Sequence, residues 1–147
     1  TVQIGKVEKI RTGNDITVVS YGSTLKLIEK AVIELEKFNI SCEIIDCQSL
    51  IPFDSDNDIC ESVKKTNRII IIDEDFSGGA SAYILDNLIN KQNIYNYLDS
   101  KPYTLSAQDH RPAYGTDGDY FSKPSMDEIF NKIYSVMNEL NPEEYPI

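Results

Sequence analysis

Four isoleucines in a row, Ile69 to Ile72, constrain this chain more than any other feature. A β-branched run with no polar member cannot be a strand that is wet on one face. It reads as a strand buried on both faces, at the centre of a mostly parallel sheet with helices above and below. The run ends in three acids, Asp73, Glu74 and Asp75, and a turn at Gly78-Gly79 follows. Ala80, Tyr83, Ile84 and Leu88 then recur at helical spacing. This is strand, loop, helix, half of a βαβ unit. In open α/β sheets functional groups collect beyond the carboxyl ends of strands, where these acids and glycines lie.

The remainder of the chain repeats the same alternation. Val2 to Ile10 reads as an entry strand over the domain edge, and Thr12 to Asp15 as a turn. Ile16 to Ser20 is a buried strand, followed by a helix that Ser23 or Thr24 caps, with Leu25, Ile28, Val32, Leu35 and Phe38 on its apolar stripe. Asn39 ends it. Ser41 to Asp46 is the next strand. Asp54, Ser55 or Asp56 caps a short helix through Ile59 and Val63. After the isoleucine strand and its helix, to about Ile89, Tyr103 to Ala107 is a further strand. Gln108 to Pro124 is a long polar loop, Ser125 with Glu128 forms a capping box for a last helix, and Asn141-Pro142 stops it before a tail from Glu143 to Ile147. The expected fold class is α/β: a three-layer α/β/α sandwich on a mostly parallel sheet of about five strands.

Composition bounds what such a domain does. The 147 residues suffice for a single domain, 1–147, with a core of its own. A formal net charge of −10 argues against a nucleic-acid footprint and permits an acidic surface for a basic partner. Cys42, Cys47 and Cys60 form no C-x-x-C and read as buried, reduced thiols of a cytosolic protein. No membrane span or signal peptide is read in the sequence, so a membrane is not expected as a partner, and the net charge removes nucleic acid from the expected partners as well. The chain starts at Thr1 and runs straight into structured-looking sequence, which suggests an excised piece of something larger.

Standard catalytic motifs are missing: no P-loop, GxSxG or zinc spacing, and Tyr21-Gly22-Ser23-Thr24 is too small a match for a dinucleotide loop. Asp73, Glu74 and Asp75 could hold Mg²⁺ with a phosphate ligand. Adjacent strand-end residues point in alternate directions, however, which favours a solvated or interface-forming loop. His110, beside Asp109, could act as a general base only with a pocket nearby, and a loop histidine at a surface or interface is the better reading. Gly78-Gly79 before a helix could cradle an anion with free N–H groups, or allow close approach of another element or subunit, which is preferred. The expectation is a fold without a complete active site.

Taken together, four stretches carry a resemblance: Asp15 to Gly22, Ile40 to Asp46 with Leu50 to Asp54, Ser62 to Arg68, and the strand through Asp73-Glu74-Asp75 into Gly78-Gly79. In this order and spacing the chain resembles, over nearly its whole length, the C-terminal domain of the transketolase-like β chain of thiamine-diphosphate-dependent 2-oxo acid dehydrogenases. Ser41 to Asp46 with the Ile51-Pro52 pair looks closest to the branched-chain (2-oxoisovalerate) type, with pyruvate-type chains similar. The resemblance implies a parent that decarboxylates a 2-oxo acid on thiamine diphosphate and Mg²⁺ and acylates the lipoyl group of a dihydrolipoyl acyltransferase. It implies that this domain binds neither cofactor and holds no catalytic residue. Its expected partners are the other domains or subunits of the decarboxylating component, a second copy in a homodimer, and the acyltransferase's subunit-binding domain. A bacterial, cytoplasmic setting is expected.

The same resemblance places a docking acid at Asp99, in Leu98-Asp99-Ser100-Lys101-Pro102, where the inserted Lys101 would oppose a basic partner. The tail beyond Leu140 reads as an addition in which Glu143 and Glu144 could serve that partner. Asp73, Glu74, Asp75, Gly78 and Gly79 are the candidate subunit interface. The loop from Asp109 to Pro124 departs from the family's commoner Asp-x-Pro-x-Pro-Tyr pattern, so no contact is carried over to it. Two other readings stand beside this one: the equivalent domain of transketolase or a deoxyxylulose-phosphate synthase, and a free-standing α/β module that takes a small anion at Gly78-Gly79.

Overall fold

In the computed structural model the described residues are 3–76, 78–107 and 124–147, with the backbone alone described at Asp75 and Phe76. Five strands and four helices alternate: β1 (Glu8–Arg11), β2 (Ile16–Ser20), α1 (Thr24–Glu36), β3 (Cys42–Asp46), α2 (Asp58–Thr66), β4 (Ile69–Phe76), α3 (Ala80–Asn90), a 3₁₀ turn (Ile94–Tyr97), β5 (Tyr103–Ala107) and α4 (Met126–Leu140). The strand order is β1-β3-β2-β4-β5. All neighbours run parallel except β1, which lies antiparallel on β3 at the edge. The entry strand is thus shorter and later than Val2 to Ile10.

The isoleucine run sits where its chemistry demands. Ile70 and Ile72 enter the core under α1 and α4, while Ile69 and Ile71 enter the opposite core under α2 and α3. All four have no exposed surface, and burying each is worth about 2 kcal/mol. The three-layer α/β/α sandwich follows from this one strand, because it supplies apolar side chains to both faces.

Local signals hold with two exceptions. Ser125 accepts a hydrogen bond from the Glu128 N–H at 3.2 Å, which starts α4. Asp54, buried, accepts from the N–H groups of Asp58 and Ile59, both at 2.9 Å, and so caps α2. Ser23, by contrast, makes no capping bond; its hydroxyl donates to Glu74 at 3.1 Å instead. Phe38 lies past the end of α1, half exposed and edge-on to Phe130 and Tyr134 of α4. The three cysteines are free and buried.

Beyond α4, Tyr145 joins the core while the other residues of the stretch stay exposed. Tyr145 is 5% exposed and packs in the α1/α4 cluster. Asn138 donates to the Tyr145 carbonyl at 2.8 Å, and the Tyr134 hydroxyl to the Pro146 carbonyl at 2.7 Å. Five positions after the helix end an aromatic residue has found a buried slot, and its apolar burial holds this part of the segment down.

Candidate functional site

The sheet offers three places where chemistry could gather. The first is its carboxyl-terminal edge at the switch point, where β2 connects toward β3 and β4 toward β5. Asp73 is wholly buried there rather than at a surface. Its carboxylate accepts the Ser81 N–H at 2.7 Å in the first turn of α3, and also the Tyr21 hydroxyl. Asp73 therefore caps α3 from across the Gly78-Gly79 turn, placing a negative charge at the helix's positive end. Glu74 points to the other face of the strand, toward Ser23. The alternation expected of adjacent acids is what keeps them apart. Among the described residues no group of three His, Cys, Asp or Glu could hold a metal ion. The Asp75 side chain, Asp109 and His110 lie outside the described residues. Gly78 has φ +95°, is exposed, and has no atom within 4 Å of where a Cβ would stand. Its φ is the left-handed one that glycine adopts at no steric cost, and no described atom of this chain approaches it. The Ser81 N–H at this helix start, which a bound anion could otherwise take, is answered by the domain's own Asp73 carboxylate.

The second place is a cleft of about 310 Å³ between β1 and α2, lined by Val7, Lys9, Glu43, Ile45, Asp58 and Glu61 among others. Glu43, with no exposed side-chain surface, forms its floor. Its oxygens take the Lys65 ammonium, the Ser62 hydroxyl at 2.5 Å and the Gly13 N–H at 3.3 Å, with Lys9 at 3.7 Å. Burial pushes the carboxyl up, but the Lys65 and Ser62 bonds, the Gly13 amide and the Lys9 charge together hold it below the usual range. Gly13 must be glycine for this approach, since a Cβ there would lie 2.2 Å from the Cys42 carbonyl carbon. Behind Ser62, the Thr17 hydroxyl links at 2.7 Å to both Ser62 and Thr66. Both carboxylate oxygens are occupied, so the group is a poor base and a good structural anchor. Sequence reading passed over Glu43 as part of a buried strand; its signal was an acid on the same strand face as Ile45.

The third place is the amino-terminal edge, where Asp99 precedes β5. Its N–H donates to the Asn67 carbonyl at 2.8 Å, and its half-exposed carboxylate lies 3.6 Å from Arg68 Nη2. Arg68 Nη1 donates to the Asp15 carbonyl at 3.1 Å. The Lys101 ammonium folds over the Tyr103 ring, 5.3 Å from its centroid, with Lys132 at 5.2 Å. The Tyr103 hydroxyl donates to Glu139 at 2.5 Å; that bond, burial and the Glu139 charge push its pKa up to about 12. Tyr145 is pushed up to about 12 by burial, then by the charges of Asp15 and Glu144, while Arg68 pulls it down. The Tyr145 hydroxyl lies 3.5 Å from the Asn39 carbonyl, just ahead of β3, which places Tyr145 at this same edge of the sheet. Glu143 and Glu144 are exposed beside it, Glu144 accepting from Asn141 Nδ2 at 2.9 Å. The docking candidates gather at one edge of the sheet, and Asp73, Glu74, Gly78 and Gly79 at the other.

Residues 5–122 match the family described as the transketolase C-terminal domain. The chain belongs to that family. Within it, the chain is 31% identical over 136 residues to the pyruvate dehydrogenase E1 component subunit beta of Rickettsia felis, covering 92% of this chain and 41% of that relative. It is 38% identical over 92 residues to the mitochondrial 2-oxoisovalerate dehydrogenase subunit beta 2 of Arabidopsis thaliana, covering 61% of this chain and 25% of the relative. A split-gene transketolase, solved as an inactive β4 tetramer, superposes with a TM-score of 0.71 at 18% identity, covering 91% of this chain and 42% of that one. The chain thus spans about two-fifths of the length of the Rickettsia relative. This transketolase C-terminal domain has the α/β sandwich expected of it.

Proposed function

We propose that the chain is the C-terminal domain of the β subunit of a thiamine-diphosphate-dependent 2-oxo acid dehydrogenase, and that it serves assembly and docking. The parent would decarboxylate a 2-oxo acid and pass the acyl group to the lipoyl group of a dihydrolipoyl acyltransferase. The observation that carries the reading is the family match, together with β-subunit relatives that cover most of the chain. Relatives named for pyruvate and for 2-oxoisovalerate both match, so pyruvate and branched-chain 2-oxo acids are the two substrate classes for the parent. The branched-chain preference suggested by Ser41 to Asp46 gains no advantage from them.

The described residues do not fit a thiamine diphosphate or Mg²⁺ site. The helix start that would take a diphosphate is answered by Asp73, and Glu74 points away from it. We therefore assign both cofactors to other domains of the parent. We assign the amino-terminal edge to the acyltransferase's subunit-binding domain, with Asp99, Glu143 and Glu144 as its acids. Lys101, whose charge would oppose a basic partner, folds over the Tyr103 ring. The exposed Gly78 turn and Glu74, at the opposite edge, are the surface left for the parent's other subunits, including a second copy.

The test is calorimetric titration of the assembled parent, and of its Asp99→Lys variant, with a purified subunit-binding domain at two salt concentrations. Salt-sensitive binding that the variant loses is expected. Equal binding by both proteins would remove Asp99 from the dock.

A further inference from the structure

Resting on the docking reading, we propose that Arg68 is an internal competitor for Asp99 and so sets how tightly a cationic partner binds there. The geometry is that of a weak, displaceable pair. Arg68 Nη2 stands 3.6 Å from Asp99 Oδ2, beyond hydrogen-bond length, and the Asp99 side chain is 54% exposed. Arg68 does not hold Asp99 in place, because the Asp99 backbone is already bonded to the Asn67 carbonyl at 2.8 Å. Nor does Asp99 hold Arg68, which is anchored through Nη1 to the Asp15 carbonyl at 3.1 Å. The guanidinium is thus fixed from behind with one arm near the acid, and its buried Nε has no partner among the described residues. A partner's arginine or lysine must take the carboxylate from this arm. Arg68 lowers the affinity by the worth of one exposed ion pair and discriminates against partners that present a single weak cation.

The assembled parent is titrated with a purified subunit-binding domain at physiological ionic strength, where long-range repulsion is screened and contact terms remain. Arg68→Gln removes the charge and leaves a shorter, neutral polar side chain at the site. It should tighten binding by about two- to five-fold, the range of an exposed ion pair. The gain should vanish in the Asp99→Asn background, and Arg68→Lys should bind like the wild type. Weaker binding by Arg68→Gln, or an equal gain in the Asp99→Asn background, would overturn the competitor role while leaving the dock in place. A wild-type parent that does not bind would overturn the docking reading itself, and an Asp99→Asn variant that binds as well as wild type would remove Asp99 from the dock and the competitor role with it. A merely structural Arg68 would shift thermal stability and leave the Asp99-dependent affinity gain absent.

Discussion

Replacing Glu43 by alanine removes a carboxylate that has no exposed surface and answers Lys65, Lys9, Ser62 and Gly13. Breaking a buried ion pair costs about 3–5 kcal/mol when the survivor is trapped. Here the surviving lysines are not: Lys65 and Lys9 are 36% and 51% exposed and turn to water, so little of that cost applies to them. What remains is the Ser62 hydroxyl and the Gly13 amide without an acceptor, and a small void. Together these cost about 2–3 kcal/mol. At about 3 °C per kcal/mol for a domain of this size, the midpoint should fall by about 6–9 °C. The reverse deletion is not symmetric. Lys65→Met strands a carboxylate that cannot reach water, with Lys9 at 3.7 Å as its remaining cation, and should cost at least as much. Urea unfolding at pH 7 reads both. The pH dependence follows from a folded-state carboxyl held below its ordinary 4.5. Its stabilisation is full above about 4.5, falls as pH drops toward the depressed value, and is absent in Glu43→Ala. A Glu43→Ala variant within about 0.5 kcal/mol of wild type, or a Lys65→Met variant far milder than it, would refute the reasoning.

Asp73→Ala takes the acceptor from the α3 start and should cost about 2 kcal/mol, with faster amide exchange at Ser81 as the local readout. Tyr145→Ala should cost about 3 kcal/mol in urea unfolding, while Tyr145→Phe should cost under about 1 kcal/mol, because the hydroxyl's bond to the Asn39 carbonyl is long at 3.5 Å. With Tyr103 and Tyr145 both holding their protons up to about 12 against an ordinary 10, their contribution is full below pH 10 and lost as pH rises toward 12, which alkaline unfolding would show.

The parts of this fold legible in the sequence are those set by local periodicity. The Ile69 to Ile72 run told which strand is central, and the range Tyr103 to Ala107 agrees with β5 residue for residue. Capping by Ser125 and Asp54 was legible because the acceptor lies within a few residues of the helix it starts. The candidate sites were less so. Glu43 finds Ser62 and Lys65 about twenty positions away, Asp99 meets Arg68 about thirty away, and Tyr145 reaches Asn39 across most of the chain. Such pairings leave no mark on spacing. Asp73 is the instructive middle case. Alternation correctly separated it from Glu74, yet its partner Ser81 lies only eight residues on, across a glycine turn, and the tertiary cap went unread.

The strand that feeds both helical layers also decides how this domain behaves as a partner. Neither layer closes a core of its own, since Ile70 and Ile72 belong to one and Ile69 and Ile71 to the other. Opening either layer exposes β4 and weakens the second, so melting is cooperative across the sheet and partial openings near its centre are scarce. A protein that docks at an edge therefore meets a stiff body. The entropy lost on binding is confined to a few side chains at the rim, and what a dock of this kind gains in affinity it gains by preorganisation.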